Sequence, residues 1–329
     1  TFLETYFNRI AVGDSLKLIK ELPDECVKLS ICSPPYFQQR TYTDLPEEIG
    51  REQEIDDYLE NVLKIFIECL RVTQDNGNII FNLGDKYIKS NLMLLPWRFA
   101  LLAQKKATLI NAVTWVKNNP TPRQFDRRLV SSTEPFFHFV KNIKTYHYDL
   151  SVLNVQEEKG VNPDSKVGQG YFKQIDESDL SDEEKANAYV DLAKIIEEVK
   201  EGKIESLRMK IRGKHSLPFG GQEGGRKTQI ETKGYSIIRV PGGKMHRDVV
   251  ETPVETIRGI NHPAIYPRAI VEQFIKTTTH PGDLVFDPFI GSGTTGLVAK
   301  QLGRNFIGFE LCPEFAKQAQ LRIESGVIA

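Results

Sequence analysis

A chain of 329 residues, 40% hydrophobic and 26% charged, can bury a large core, and it has no apolar run near the ~20 residues that cross a bilayer. The formal net charge of -1 excludes a uniformly basic nucleic-acid binder, and Thr1-Phe2-Leu3-Glu4-Thr5 lacks the basic-then-apolar pattern of a secretory leader. A cytoplasmic protein without a membrane partner is expected. Cys26, Cys32, Cys69 and Cys312 are scattered among apolar neighbours, with no Cys-x-x-Cys pair or Cys/His cluster, so no metal site or redox pair is expected and the thiols read as buried.

In chain order, Val27 to Cys32 reads as a buried strand. Ile55, Tyr58, Leu59, Val62, Leu63, Phe66, Ile67 and Leu70 then recur at helical spacing. Asp75-Asn76-Gly77 predicts a turn into a strand over Asn78 to Leu83, followed by a helix from Leu94 to Lys105 and a strand from Thr108 to Val116. Strands alternating with helices predict a parallel sheet covered on both faces. From about Tyr148 the rhythm breaks. A polar segment leads to a helix from about Ser181 to Lys200, where Ser181 and Glu184 form a capping-box pattern, and then to a glycine-rich basic loop at Phe219 to Arg226. Alternation resumes after Pro267, with helices over Arg268 to Thr278, Thr294 to Leu302 and Pro313 to Ile323, and strands over Asp283 to Phe286 and Asn305 to Phe309. The predicted domains are therefore 1–147 and 262–329, which form one α/β sheet, and 148–261, an insertion.

Asp283 to Gly296 reads as strand, tight turn and helix start. Glycines there let backbone approach a ligand, and the helix N-terminus offers free N–H groups. Gly291, Gly293 and Gly296 have dinucleotide-turn spacing, and Glu310 ends the next strand where a ribose-binding acid belongs, so a nicotinamide oxidoreductase is one reading. Asp287 opposes it, because a carboxylate inside the turn repels a pyrophosphate and suits a ligand with a cationic or amino-bearing end. No Gly-Lys-Ser/Thr follows, which disfavours a phosphate-binding loop of the nucleotide-hydrolase kind.

Ser33-Pro34-Pro35-Tyr36 follows the first predicted strand, at the sheet edge where α/β proteins bind ligands. Two prolines remove two donors and fix the backbone, so carbonyls are presented rigidly to a partner such as an amino group. The Ser33 hydroxyl and Pro34 carbonyl suit the N–H bonds of an exocyclic amine, and Tyr36 offers a flat face to an unstacked base. Cytosine C5 chemistry needs a nucleophilic thiolate in a Pro-Cys pair, and zinc deamination needs a His-x-Glu with Cys-x-x-Cys; the chain has neither.

Taken together, Asp287-Pro288-Phe289-Ile290-Gly291-Ser292-Gly293-Thr294-Thr295 and Ser33 to Tyr36, with the catalytic motif first in the chain, resemble the β-class DNA amino-methyltransferases. The resemblance spans about Gly13 to Lys141 and His262 to Glu324. It implies an α/β, Rossmann-like methyltransferase sheet with helices on both faces plus an inserted target-recognition region, and S-adenosyl-L-methionine as cofactor. It places the cofactor on Asp287, Pro288, Phe289, Gly291, Ser292, Gly293, Thr294 and Thr295 with Glu310 on the ribose. It adds Asp14 in Gly13-Asp14-Ser15, equally readable as a helix N-cap, and His262, Pro263, Ala264 and Tyr266 in a further cofactor motif. The family's usual tetrapeptides are Asp-Pro-Pro-Tyr for adenine N6 and Ser-Pro-Pro-Tyr for cytosine N4, so Ser33, Pro34, Pro35 and Tyr36 are the expected catalytic residues and N4 of cytosine the expected target. Adenine N6 is the alternative.

The implied partner is double-stranded DNA, with a restriction endonuclease acting on the same site without a stable complex. Arg123, Arg127 and Arg128, then Arg208, Lys210, Arg212, Lys214, Arg226 and Lys227, are the expected DNA contacts. Asn82-Leu83-Gly84-Asp85 is expected to border the same crevice with its chemistry open; Glu134 to Phe139 resembles the family's strand near the target-base pocket, which Lys117 and Trp115 can also border, although core packing is the expected role of Trp115. A non-catalytic subunit that keeps the fold is the remaining reading.

Overall fold

The computed structural model describes residues 1–40, 45, 47–120, 127–153, 162–218, 225–240, 246–255 and 267–326. The chain forms two compact units, one of Thr1–Leu153 with His246–Ala329 and one of Asn154–Met245. Helices are numbered α1 (Phe2–Tyr6), α2 (Ser15–Leu18), α3 (Ile55–Val72), α4 (Leu95–Ala103), α5 (Gly170–Asp176), α6 (Asp182–Lys200), α7 (Arg226–Lys233), α8 (Arg268–Thr278), α9 (Thr294–Gln301) and α10 (Pro313–Ser325). The strands are β1 (Arg9–Val12), β2 (Val27–Cys32), β3 (Thr73–Asn82), β4 (Tyr87–Ile88), β5 (Asn91–Leu92), β6 (Thr108–Lys117), β7 (Thr133–Val140), β8 (Ser206–Ile211), β9 (Tyr235–Val240), β10 (Val249–Thr252), β11 (Leu284–Asp287) and β12 (Asn305–Glu310).

The first unit is built on an eight-stranded sheet in the order β1-β12-β11-β2-β3-β7-β6-β10. Every neighbour is parallel except β7, which runs against β3 and β6. From β11 the chain crosses through α9 to β12 on one side; from β2 it crosses through α3 to β3 on the other. The two crossovers diverge from adjacent strands, so a crevice opens where β11 and β2 end. The chain leaves these strands at Asp287 and Ser33, from neighbours spaced roughly 4.8 Å apart.

Alternation along the strands sends side chains to two cores. Phe286, Ile307, Phe81 and Phe137 pack with Phe66 of α3 and Phe99 of α4 on one face. Val285, Phe306, Ile80 and Phe136 pack with Phe274 of α8, Leu297 of α9 and Ile323 of α10 on the other. Helices thus cover both faces, as the alternating pattern predicts. His138 of β7 is buried with its Nε2 2.8 Å from Asn78 Oδ1, and burial lowers its pKa to about 3, so the imidazole is neutral.

Three features depart from the expected elements. Asp75-Asn76-Gly77 does not separate a turn from the strand but bulges within β3, Val27 pairing with Thr73 and Leu29 with Asn78. The strands β1 and β10 join the sheet edges without a sequence signal strong enough to announce them. The second unit is also shorter at both ends than the expected insertion: Asp149 N donates to Thr277 O of α8 at 2.8 Å, and β10 pairs with β6. The second unit packs α5 and α6 on the antiparallel pair β8–β9, with Leu192, Ile195, Ile196, Leu207, Met209 and Ile211 in its core, and Ser181 and Glu184 close the capping box on α6. Cys32, Cys69 and Cys312 are buried and Cys26 is half-buried, all free. No helix among the described residues is long and apolar enough to cross a membrane.

Candidate active site

At the carboxyl end of β11 the buried Asp287 organises the turn that follows. Its Oδ1 accepts from Phe289 N at 2.9 Å and its Oδ2 from Thr295 Oγ1 at 2.6 Å. These two bonds go to the turn's own donors, so Asp287 shapes the loop and sets its negative potential. Gly291 and Gly293 take φ of 50° and 83°, a backbone that side chains rarely adopt. Arg322 of α10 supports the turn from below, its Nη1 donating to Ser292 O at 2.9 Å and Thr294 Oγ1 at 3.1 Å. Ile290 donates its N–H to Phe309 O at 2.9 Å and packs on Gly308, where a Cβ would lie 2.3 Å from Ile290 Cδ1. Arg322 and Gly308 carry no sequence signal for these roles, because their partners are brought together only by folding.

Glu310 ends β12 with Oε1 accepting from Cys312 N at 2.9 Å and Oε2 from Gly291 N at 3.2 Å. Burial raises its pKa to about 7 against these bonds, and the Asp287 charge adds to the rise. Asp14 caps α2, its Oδ1 accepting from Leu16 N at 3.0 Å, while Ser15 Oγ donates to Pro288 O at 2.5 Å. Asp14 is therefore an N-cap that also lines the cleft formed with Ser15, Glu47, Glu48, Ile49, Phe289, Phe309, Glu310 and Leu311. Lys17 offsets part of this charge, 3.3 Å from Glu47 and 3.8 Å from Asp14. A cleft with this donor set fits a ligand that carries hydroxyls and positive charge. His262, Pro263, Ala264 and Tyr266 lie outside the described residues, as does Arg123.

Across the crevice, Ser33 to Tyr36 is held by side chains from other strands. Tyr36 Oη donates to Asn82 Oδ1 at 2.7 Å or Glu134 Oε2 at 2.9 Å, and Ser33 Oγ to Asn82 Oδ1 at 3.0 Å or Tyr36 Oη at 3.3 Å. Asn82 Nδ2 donates to Pro135 O at 3.0 Å, and Lys117 Nζ pairs with Glu134 Oε1. The Tyr36 ring rests on Gly84, where a Cβ would lie 2.3 Å from Cε2, and Tyr58 Oη donates to Pro35 O at 3.1 Å. Trp115 is core, its Nε1 donating to Thr252 O at 2.9 Å. The open question at Asn82 is thus answered by its contacts: it braces both hydroxyls of the tetrapeptide.

The expected DNA contacts divide in two. Arg127, Arg208 and Arg226 are exposed, and Arg128 stacks 3.6 Å from the Tyr87 ring centroid. Arg212 instead grips Glu184 through both terminal nitrogens at 3.0 and 2.6 Å, Lys214 meets Glu177 at 3.1 Å, Lys227 is 3.9 Å from Glu231, and Lys210 donates to Ser216 O at 3.1 Å. Glu177 and Glu184, from earlier in the chain, thus neutralise part of the basic stretch.

Residues 27–321 match the DNA methylase family that unites N6- and N4-amino methyltransferases. The chain belongs to this family. The dinucleotide reading of the glycine turn is thereby set aside. Relatives include the type II methyltransferase M.SfiI of Streptomyces fimbriatus, 28% identical over 97% of this chain and 91% of its own length. The DNA adenine methyltransferase YhdJ of Escherichia coli K12 is 25% identical over 95% and 81%. Among solved structures, the cytosine-N4-specific PvuII DNA methyltransferase aligns with a TM-score of 0.58 at 16% identity, covering 96% of this chain and 90% of that one. TTHA0409 of Thermus thermophilus, solved with S-adenosyl-L-methionine, aligns at 0.55 and 18% over 97% and 94%. The carboxylate-lined cleft of this methylase fits a methyl donor that carries hydroxyls and positive charge.

Proposed function

We propose that this methylase modifies N4 of cytosine in duplex DNA as the modification arm of a restriction-modification system. The observation that carries the base assignment is Ser33, a hydroxyl at the crevice whose single proton is engaged by Asn82 Oδ1 or Tyr36 Oη. Its lone pairs remain for the target, so Ser33 Oγ meets an amino group as an acceptor, alongside the Pro34 carbonyl. The amino nitrogen of a base is a poor nucleophile while its lone pair is delocalised, and two acceptors help it pyramidalise. S-adenosyl-L-methionine supplies an electrophilic methyl on a sulfonium. The Asp287 turn and Glu310, with Asp14 at the cleft, hold that donor, and Tyr36 stacks the flipped base. Catalysis is then mainly the positioning of two reactants.

In this reading the second unit is the target-recognition region, and the exposed Arg208 and Arg226, with Arg127 and Arg128 of the first, hold phosphates. The type II names of relatives such as M.SfiI support the restriction-modification context, in which a separate endonuclease acts on the same sequence. The name of YhdJ favours a second reading, adenine N6. Incubation with labelled cofactor and unmethylated bacterial DNA, followed by nucleoside digestion and mass analysis, tests the assignment. N4-methylcytosine is the expected product. N6-methyladenine alone overturns the base assignment, and no product on any DNA, with cofactor bound, leaves the non-catalytic subunit.

A further inference from the structure

An amino nitrogen that gains a methyl carbon must lose a proton, and the first oxygen it meets here belongs to an alcohol. A carboxylate in that place can keep the proton; a serine hydroxyl that accepts one must pass its own on. Behind Ser33 the structure sets such an outlet. Ser33 Oγ is 3.3 Å from Tyr36 Oη, which donates to Glu134 Oε2 at 2.9 Å, and Glu134 Oε1 is paired with Lys117 Nζ. Asn82 Oδ1 braces both hydroxyls at 3.0 and 2.7 Å, and because Asn82 Nδ2 donates to Pro135 O at 3.0 Å, its oxygen is the atom that faces them. The amide holds the two oxygens together; the carboxylate is the group along this chain that can take a proton.

We propose that Glu134 is the proton acceptor of the reaction, reached from the target amino group through Ser33 and Tyr36, with Lys117 positioning it. This rests on the reading of Ser33 as the residue that meets the amino nitrogen. As the N–C bond forms and the C–S bond breaks with its electron pair on sulfur, the amino proton passes to Ser33 Oγ, the Ser33 proton to Tyr36 Oη and the Tyr36 proton to Glu134 Oε2. The positive charge lost at sulfur is balanced by the negative charge lost at Glu134, so the site gains no net charge. The Ser33–Tyr36 separation is longer than an optimal O–H···O bond and shortens when the base is seated, as catalytic hydrogen bonds do on substrate binding. With 13% of the Glu134 side chain and 21% of Lys117 exposed, water can reset the carboxyl between turnovers.

The test is single-turnover methylation of unmethylated DNA by the full chain, with infrared difference spectra of the protein carboxyls taken alongside and cofactor affinity measured separately. In the wild type a protonated-carboxyl band grows in with the first turnover. Glu134→Gln and Tyr36→Phe abolish that band and slow transfer by about 100-fold, the scale of a lost acid–base group, while cofactor affinity stays within about two-fold. Ser33→Asp placed on Glu134→Gln restores transfer, because the new carboxylate takes the proton itself. Tyr36→Phe cuts the chain with the Lys117–Glu134 pair intact, so the test stands even where Glu134→Gln fails to fold. A wild-type rate in Tyr36→Phe with Ser33→Ala inactive overturns the relay and leaves the Ser33 reading standing. Wild-type rates in both Ser33→Ala and Tyr36→Phe overturn the reading on which it rests.

Discussion

The turn after β11 and the tetrapeptide after β2 leave adjacent parallel strands at the same sheet edge, yet they are held by different means. The turn is tied to itself and its neighbours through backbone groups: Asp287 accepts from Phe289 N, Glu310 from Gly291 N, and Arg322 donates to Ser292 O. These partners lie within the last part of the chain, while the bond from Ser15 Oγ to Pro288 O reaches back to its start. The tetrapeptide is tied through side chains, to Asn82 on β3 and Glu134 on β7, which is itself paired with Lys117 on β6. A loop built from its own backbone can keep its shape while distant sequence changes. A loop held by long-range side chains stays in place only if the rest of the sheet is correctly assembled, and in exchange it can move protons.

This difference predicts separable losses. The largest expected effect on cofactor binding is that of Asp287→Ala, which removes the carboxylate that accepts from Phe289 N and Thr295 Oγ1 and weakens binding by about 100-fold in calorimetric titration, consistent with roughly 3 kcal/mol for a lost buried acceptor. Tyr36→Ala does the reverse. Transfer in rapid-quench single turnover falls by about 1,000-fold, the lost stacking adding roughly ten-fold to the loss of the hydroxyl, while cofactor affinity changes by less than about two-fold. If either variant loses both functions equally, the two loops form one unit and the distinction fails.

A smaller effect comes from packing beneath the turn. In Gly308→Ala the added Cβ meets Ile290 at 2.3 Å, so a urea denaturation midpoint should report a loss of about 1–3 kcal/mol, relieved in part by Ile290→Ala in the same chain.

The finest effect is on pH. Burial raises the Glu310 pKa from an ordinary 4.5 to about 7, so ionising it costs the folded state. Its contribution to stability is full below the unfolded value and is lost as pH rises through about 7. The ligand's hydroxyls and positive charge favour the ionised form, so cofactor affinity should rise between about pH 6 and about pH 8 while the ligand-free protein melts earlier. Glu310→Gln should flatten both dependences, and a wild-type slope in that variant assigns the titration to another group.

Much of the sheet is legible in the sequence because its strongest signals are local. Helical spacing in α3, the apolar run of β2 and the strand, turn and helix at Asp287 each sit within a few residues, and they anticipate one sheet shared by both ends of the chain, although not the antiparallel β7 within it. The alternation rule also anticipates helices on both faces. The short edge strands β1 and β10 escape it, since an edge strand of four residues carries too little pattern to separate from a loop. At Asp75-Asn76-Gly77 the turn residues do mark a local irregularity, but pairing with β2 absorbs them into a bulge.

By itself, the sequence determined which residues enter the crevice: a carboxylate and glycines on one side, a serine, two prolines and a tyrosine on the other, because main-chain geometry demands those residue types in those short patterns. Tertiary structure alone decided what each of them touches. The Glu134 that ends the hydroxyl chain from Ser33, the Arg322 under the glycine turn and the acids that neutralise Arg212 and Lys214 all lie far from their partners in sequence. A salt bridge or hydrogen bond between distant residues leaves no periodicity or spacing to read, since it comes into being only when the sheet brings its strands into register.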